Sequence, residues 1–113
     1  MYAIVEQGCA TAVLVQGQQL ALRGRLGVGD ATDVRLALAD AVDAGAGPLV
    51  LDLSGLTALD ATGLGVLVGA HRRAGRVGRV LVLRDVRAPV ARLLLLTRLD
   101  RVLRVERSTT TAG

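Results

Sequence analysis

Tyr2 is the only aromatic residue of the chain; Phe and Trp are absent. Base-stacking platforms need aromatic rings, so that mode of nucleic-acid recognition is excluded and no direct nucleic-acid contact is expected. The core has to be assembled from Leu, Val and Ala. Lysine is absent too, so every basic side chain is an Arg. Cys9 is the only cysteine. It has no partner for an internal disulfide, and a reduced, cytoplasmic setting is expected. No basic residue precedes Arg23, which argues against a secretory signal. The longest nearly apolar run, Ala61 to Ala70, is interrupted by Thr62 and by Gly63, Gly65 and Gly69, and is too short to span a membrane.

The means for catalysis are equally scarce. His71 is the only histidine, and it reads as a helix residue at the core edge, in line with Leu64, Leu67 and Val68. No carboxylates are paired at a spacing that suggests acid–base work. Gly63-Leu64-Gly65 lacks the third glycine of a dinucleotide loop, and Gly24 to Gly29 lacks the Lys-Ser/Thr that completes a phosphate loop. Asp30, Asp52 and Asp60 are candidates to converge on a metal. Two of them, Asp30 and Asp60, read better as helix caps, and Asp52 lies near a strand end. No metal, no cofactor and no enzymatic activity are expected.

The chain is long enough at 113 residues, 51% of them apolar, to bury one core without disulfide or metal. A single domain over 1–107 is expected, with Ser108 to Gly113 as a disordered polar tail. Charge is uneven. Residues 1–70 hold three Arg and seven acidic residues, whereas residues 71–113 hold eleven Arg and three acidic residues. A basic second half suits an acidic partner. The arginines are spaced out, however, which reads as ordinary solvated surface.

Periodicity gives the order β-β-α-β-α-β-α-β. After a short lead-in over Met1 to Gly8, Thr11 to Val15 and Gln19 to Arg25 alternate as strands around a turn at Gln16-Gly17-Gln18. A helix capped by Asp30 or Thr32 runs to about Ala44, with Val34, Leu38, Ala41 and Val42 as its apolar stripe. The strand Leu49 to Leu53 is apolar on both faces apart from Asp52, as in a doubly covered strand, and a turn follows at Ser54-Gly55. A helix from about Thr62 stops at Gly75. Val77 to Leu83 reads as a strand. Ala88-Pro89 opens a helix carrying Val90, Leu93, Leu94 and Leu96, and Val102 to Val105 reads as the last strand. Strands alternating with helices imply right-handed crossovers and a largely parallel sheet.

The distinctive piece is Asp60-Ala61-Thr62-Gly63 at the head of the glycine-containing helix. Asp60 occupies the N-cap position, and Thr62 places an exposed hydroxyl in the first turn, where the amide groups favour negative charge. A phosphate there is electrostatically well placed. Gly63, Gly65 and Gly69 each cost roughly 1 kcal/mol relative to Ala inside a helix. Close packing against a neighbouring element or a partner is one reason to tolerate them.

The segments LVLDLSGLTALDATGLGVLVGAHRRA and RVLVLRDVRAPVARLLLLTRLDRVLRV resemble the STAS domain family, and in particular the free-standing bacterial anti-sigma factor antagonists. The Asp-x-Thr/Ser-Gly-Leu-Gly segment is the most telling part. The resemblance runs from about Thr11 to Val105 and includes a Thr-x-Leu-Asp pattern at Thr97, Leu99 and Asp100. It implies a mixed, largely parallel α/β domain without enzymatic activity, cytoplasmic, monomeric or weakly dimeric. It implies a partner, an anti-sigma factor with the histidine-kinase-like ATPase fold, whose capture frees a sigma factor for transcription. The implied contact residues are Asp60, Ala61, Thr62, Gly63, Leu64, Gly65 and Val68. Two departures stand out. The family's usual phosphoacceptor is a Ser directly after the Asp, here Ala61, which leaves Thr62 as the phosphorylation candidate. Where antagonists often read Gly-Glu-Leu-Asp, this chain has Gly24-Arg25-Leu26-Gly27. The family also implies two other roles, a STAS subunit of a lipid-type ABC transporter and a module of a larger signalling scaffold.

Overall fold

A computed structural model describes residues 8–106. The expected tail and most of the lead-in lie outside them. Among the described residues five strands form one sheet in the order β1-β2-β3-β4-β5. The strands are β1 (Cys9–Val15), β2 (Gln19–Leu26), β3 (Leu49–Leu59), β4 (Leu81–Arg84) and β5 (Arg104–Glu106). The hairpin of β1 and β2 is antiparallel, and every later pairing is parallel. Between the parallel strands lie α1 (Ala31–Asp43), α2 (Ala61–Arg76) and α3 (Ala88–Leu96). The element order is the one read from the periodicity, with a short 3₁₀ turn, Leu99–Arg101, added before β5.

Each crossover moves one strand further in the same direction, so right-handed connections place all three helices on one face. The core agrees. Leu49, Leu51, Leu53 and Leu56 of β3 share one apolar cluster with Val34 and Leu38 of α1, Val66 and Leu67 of α2, and Val90 and Leu94 of α3. Val50 and Asp52, which point the other way, are only half-buried. The central strand is therefore covered by helices on one face, not two. Its second face is lined by neighbouring side chains such as Ala21 and Val82.

The turn read at Ser54-Gly55 is instead two irregularities inside a longer strand. Ala21 pairs with Asp52 but Arg23 with Gly55, and Gly24 pairs with Leu56 but Arg25 with Ala58. At each place β3 holds one residue more than β2, a bulge that bends the strand without ending it. Asp52 supports the first bulge by accepting the Ser54 amide at 2.9 Å. Bulging also changes which residues face inward: Leu53, Leu56 and Leu59, three apart, lie on the core side.

Helix α2 runs through Gly75 to Arg76. The stop lies at Gly78, in the left-handed region at φ 75°. There the Gly78 amide donates to the Gly75 carbonyl and the Arg79 amide to the Ala74 carbonyl, the paired bonds of a Schellman cap. Consequently Val77 to Val80 is not strand, and β4 starts only at Leu81. Leu96 of α3 is exposed, unlike Val90 and Leu94, because two residues past Leu94 it points to the other side of the helix.

Candidate partner-binding site

The start of α2 is pinned between the ends of β2 and β3. The Asp60 amide donates to the Leu26 carbonyl at 3.2 Å. Its carboxylate Oδ1 in turn accepts the Gly63 amide at 2.9 Å, so Asp60 caps the helix as the sequence predicts. Gly63 is buried against the sheet. A Cβ there would lie 2.6 Å from the Leu26 carbonyl oxygen and 2.9 Å from the Leu59 Cβ. Gly27 is equally close, since a Cβ on it would approach the Asp60 Oδ2 to 2.8 Å. A side chain at either position would therefore displace the helix start or the strand ends beside it.

The predicted residues share this end of α2 but face different ways. Asp60, Ala61 and Gly65 are exposed, whereas Thr62, Leu64 and Val68 are half-buried. Leu64 leans on the core. Gly63 faces the sheet and is removed from the accessible surface. The Thr62 side chain, expected in the open, is partly covered, and its hydroxyl makes no hydrogen bond among the described residues. The glycines separate into two kinds. Gly63 is required by close approach. A Cβ added at Gly65, Gly69 or Gly75 meets nothing within 4 Å, so intramolecular packing explains none of these three.

One residue at this end escaped sequence reasoning. Val28, in the loop after β2, is 78% exposed and directly follows Gly27, which lies against Asp60. A lone valine in a Gly-rich connection was the available signal.

The acidic residues do not assemble. Among the described residues no three His, Cys, Asp or Glu are placed to hold a metal ion. Asp30 occupies the N-cap position of α1 but makes no side-chain cap hydrogen bond, unlike the expected cap. Asp52 stands on the open face, 3.8 Å from Arg84. Burial pushes its carboxyl up, but the Ser54 amide and the Arg84 charge outweigh this and hold it below its ordinary value. Cys9 is displaced the other way. Burial pushes its thiol up, the neighbouring Asp30 charge adds to this, and a backbone hydrogen bond from Arg23 only partly offsets them. His71 is half-buried on the third turn of α2. The strand order, rising by one at each step, contains no switch point at which α/β sheets open a ligand crevice. What this end offers is a capped helix start with an exposed flank that carries no side chain at Gly65.

A family model described as "Mlab, STAS domain" matches residues 9–105. The chain belongs to the STAS domain family. Among solved structures it is similar to an anti-sigma factor antagonist from Mycobacterium paratuberculosis, at 24% identity and a TM-score of 0.74, over 89% of this chain and 87% of that one. It is also similar to the anti-sigma factor antagonist SpoIIAA of Bacillus in its unphosphorylated form, at 16% identity and a TM-score of 0.69, over 90% and 89%. A sulfate transporter family protein from Wolinella succinogenes shares 21% identity with a TM-score of 0.69, over 83% and 80%. At these identities the likeness is one of fold. Among curated proteins no sequence matches significantly. No helix of the described residues is long and apolar enough to cross a membrane.

Proposed function

We propose that this protein is a regulatory binding domain that acts as an anti-sigma factor antagonist through the first two turns of α2. Its partner is an anti-sigma factor of the histidine-kinase-like ATPase fold, and capture of that partner in the cytoplasm releases a sigma factor for transcription. The observation that carries the reading is Gly65, a helix-interior glycine with open space around it. Its helical penalty has no return within the fold, whereas a flat flank beside Asp60 and Ala61 lets a partner backbone approach closely. Asp60, Ala61, Thr62, Leu64, Gly65 and Val68 form the proposed contact, with Val28 at its edge. Thr62 is the proposed phosphoacceptor, because about two negative charges introduced there would disrupt a tight interface beside Asp60.

The test is affinity capture of the tagged protein from its native host, with mass spectrometry of co-purifying proteins and of the Thr62 peptide. Recovery of an ATPase-fold anti-sigma kinase is expected. Thr62→Glu should weaken that complex while Thr62→Ala preserves it, and equal binding by both would remove Thr62 from the switch. Ala61 favours a second reading, the STAS subunit of a lipid-type ABC transporter, since that role does not call for a serine at this position. Recovery of permease and transporter ATPase subunits would establish it in place of the first.

A further inference from the structure

From Val66 onwards α2 lines a second surface with α1. Between α1 and α2 lies a groove of about 290 Å³. Val66 and Gly69 contribute to its floor, Leu36 stands beside it, and Arg35, Arg73 and Arg76 ring it. Leu36 is 60% exposed, which is high for a leucine on a helix that otherwise buries its apolar stripe. Gly69 keeps the groove open, because a side chain there would project into unoccupied space. Arg73 is held by Asp43 at 2.8 Å. Arg35 and Arg76 have no acidic partner among the described residues.

We propose that this groove docks an acidic amphipathic helical segment of a protein partner. The apolar floor calls for an apolar ridge, and the two uncompensated guanidinium groups call for carboxylates flanking it. An inorganic anion would leave the floor uncovered. A lipid surface fits poorly, because the apolar floor is recessed between two helices and a flat bilayer cannot enter it as a narrow ridge can. The proposal does not rest on the contact at the start of α2: Gly69 lies one turn past Gly65, and Arg35, Leu36, Arg73 and Arg76 are outside that contact.

The experiment titrates the isotope-labelled full chain with a synthetic helical peptide bearing Leu on one face and Glu on its flanks. The same peptide with Lys for Glu, and vesicles containing phosphatidylglycerol, serve as the other arms. The expected result is saturable binding of the Glu peptide with amide shifts at Leu36, Gly69, Arg73 and Arg76. At least tenfold weaker binding is expected for the Lys peptide and for the double variant Arg35→Glu/Arg76→Glu. Gly69→Leu, a substitution into open space that leaves the core untouched, is expected to block the groove to the same extent. No binding of the Glu peptide, equal binding of both peptides, or wild-type affinity in both variants overturns the proposal. So do shifts confined to Ala61 through Gly65, and so does capture by vesicles in the absence of peptide binding.

Discussion

The guanidinium of Arg79 is hydrogen-bonded to the carbonyl of Gly17, 62 residues away in the sequence. The same group donates to the carbonyls of Ala41 at 2.9 Å, Val42 at 2.8 Å and Gly47 at 2.8 Å. Arg79 is only 4% exposed. It ties the β1–β2 turn, the last carbonyls of α1 and the loop into β3 to the cap of α2. A cation at a helix C-terminus also meets the negative end of the helix dipole.

Arg79→Met should therefore destabilise the domain by about 3 kcal/mol, because several buried carbonyls lose their donor at once. Arg79→Lys should recover only part of this, since an ammonium lacks the planar fork that reaches them together. Urea denaturation of the three proteins checks the order. A loss under 1 kcal/mol for Arg79→Met would reduce the network to a minor element.

Alanine at Gly63 and at Gly65 should act with opposite signs. At Gly63 the new methyl runs into the Leu26 carbonyl and the Leu59 Cβ, and strain of about 1–3 kcal/mol is expected. At Gly65 it meets nothing, and the better helix former should add up to about 1 kcal/mol. Thermal melts of the two variants distinguish them directly. Destabilisation by both would mean that the helix start is strained for another reason.

Removing the cap should unravel the first turn of α2. Asp60→Ala is expected to lower stability by about 1 kcal/mol, and Asp60→Ser should retain most of it by offering another side-chain acceptor. Amide exchange at Gly63, whose N–H is the capped group, should accelerate in the alanine variant alone.

Acid should weaken the open face through Asp52. Its carboxyl titrates below the ordinary value of 3.8 in the folded protein. The unfolded chain thus takes up its proton first. The stabilisation is complete above the ordinary value and is lost as pH falls through the depressed one. The stability gap between the parent and Asp52→Asn at pH 7 should hence narrow below pH of about 4. A gap independent of pH would assign it to packing.

The Cys9 thiol should be sluggish. With its pKa raised above the ordinary 9.0, little thiolate exists at neutral pH, and alkylation should lag behind a free thiol. Asp30→Asn removes one of the raising influences and should speed the reaction with iodoacetamide.

Much of this architecture was legible in the sequence. Helix stripes such as Val34, Leu38, Ala41 and Val42 are all buried, and Asp60 caps where the pattern places it. At three places one local rule stands in for another. Ser54-Gly55 has turn composition but serves a bulge, and the three-residue spacing of Leu53, Leu56 and Leu59 hides a strand that is expected to alternate by two. Gly75 looks like a helix stop, yet the left-handed position that ends α2 is Gly78. Arg79 was indistinguishable from the other arginines, because burial of a charge depends on carbonyls contributed from three distant segments. The candidate site was legible as a segment, while the inward turn of Gly63 and the nearness of Val28 emerge only in three dimensions.

The paired bulges of β3 carry a consequence for how this chain tolerates changes in length. Each one exchanges inside for outside along the strand, and the second restores what the first reversed. Deleting a single residue at Ser54 or Gly55 would turn Leu56 away from the core and rotate the entry into α2, while the same deletion in the exposed loop Gly45–Pro48 would leave every facing unchanged. Length changes should thus be tolerated worse in β3 than in that loop, where they put at risk the Arg79 bond to the Gly47 carbonyl but not the facing of the core, although both stretches look equally like turns when read residue by residue.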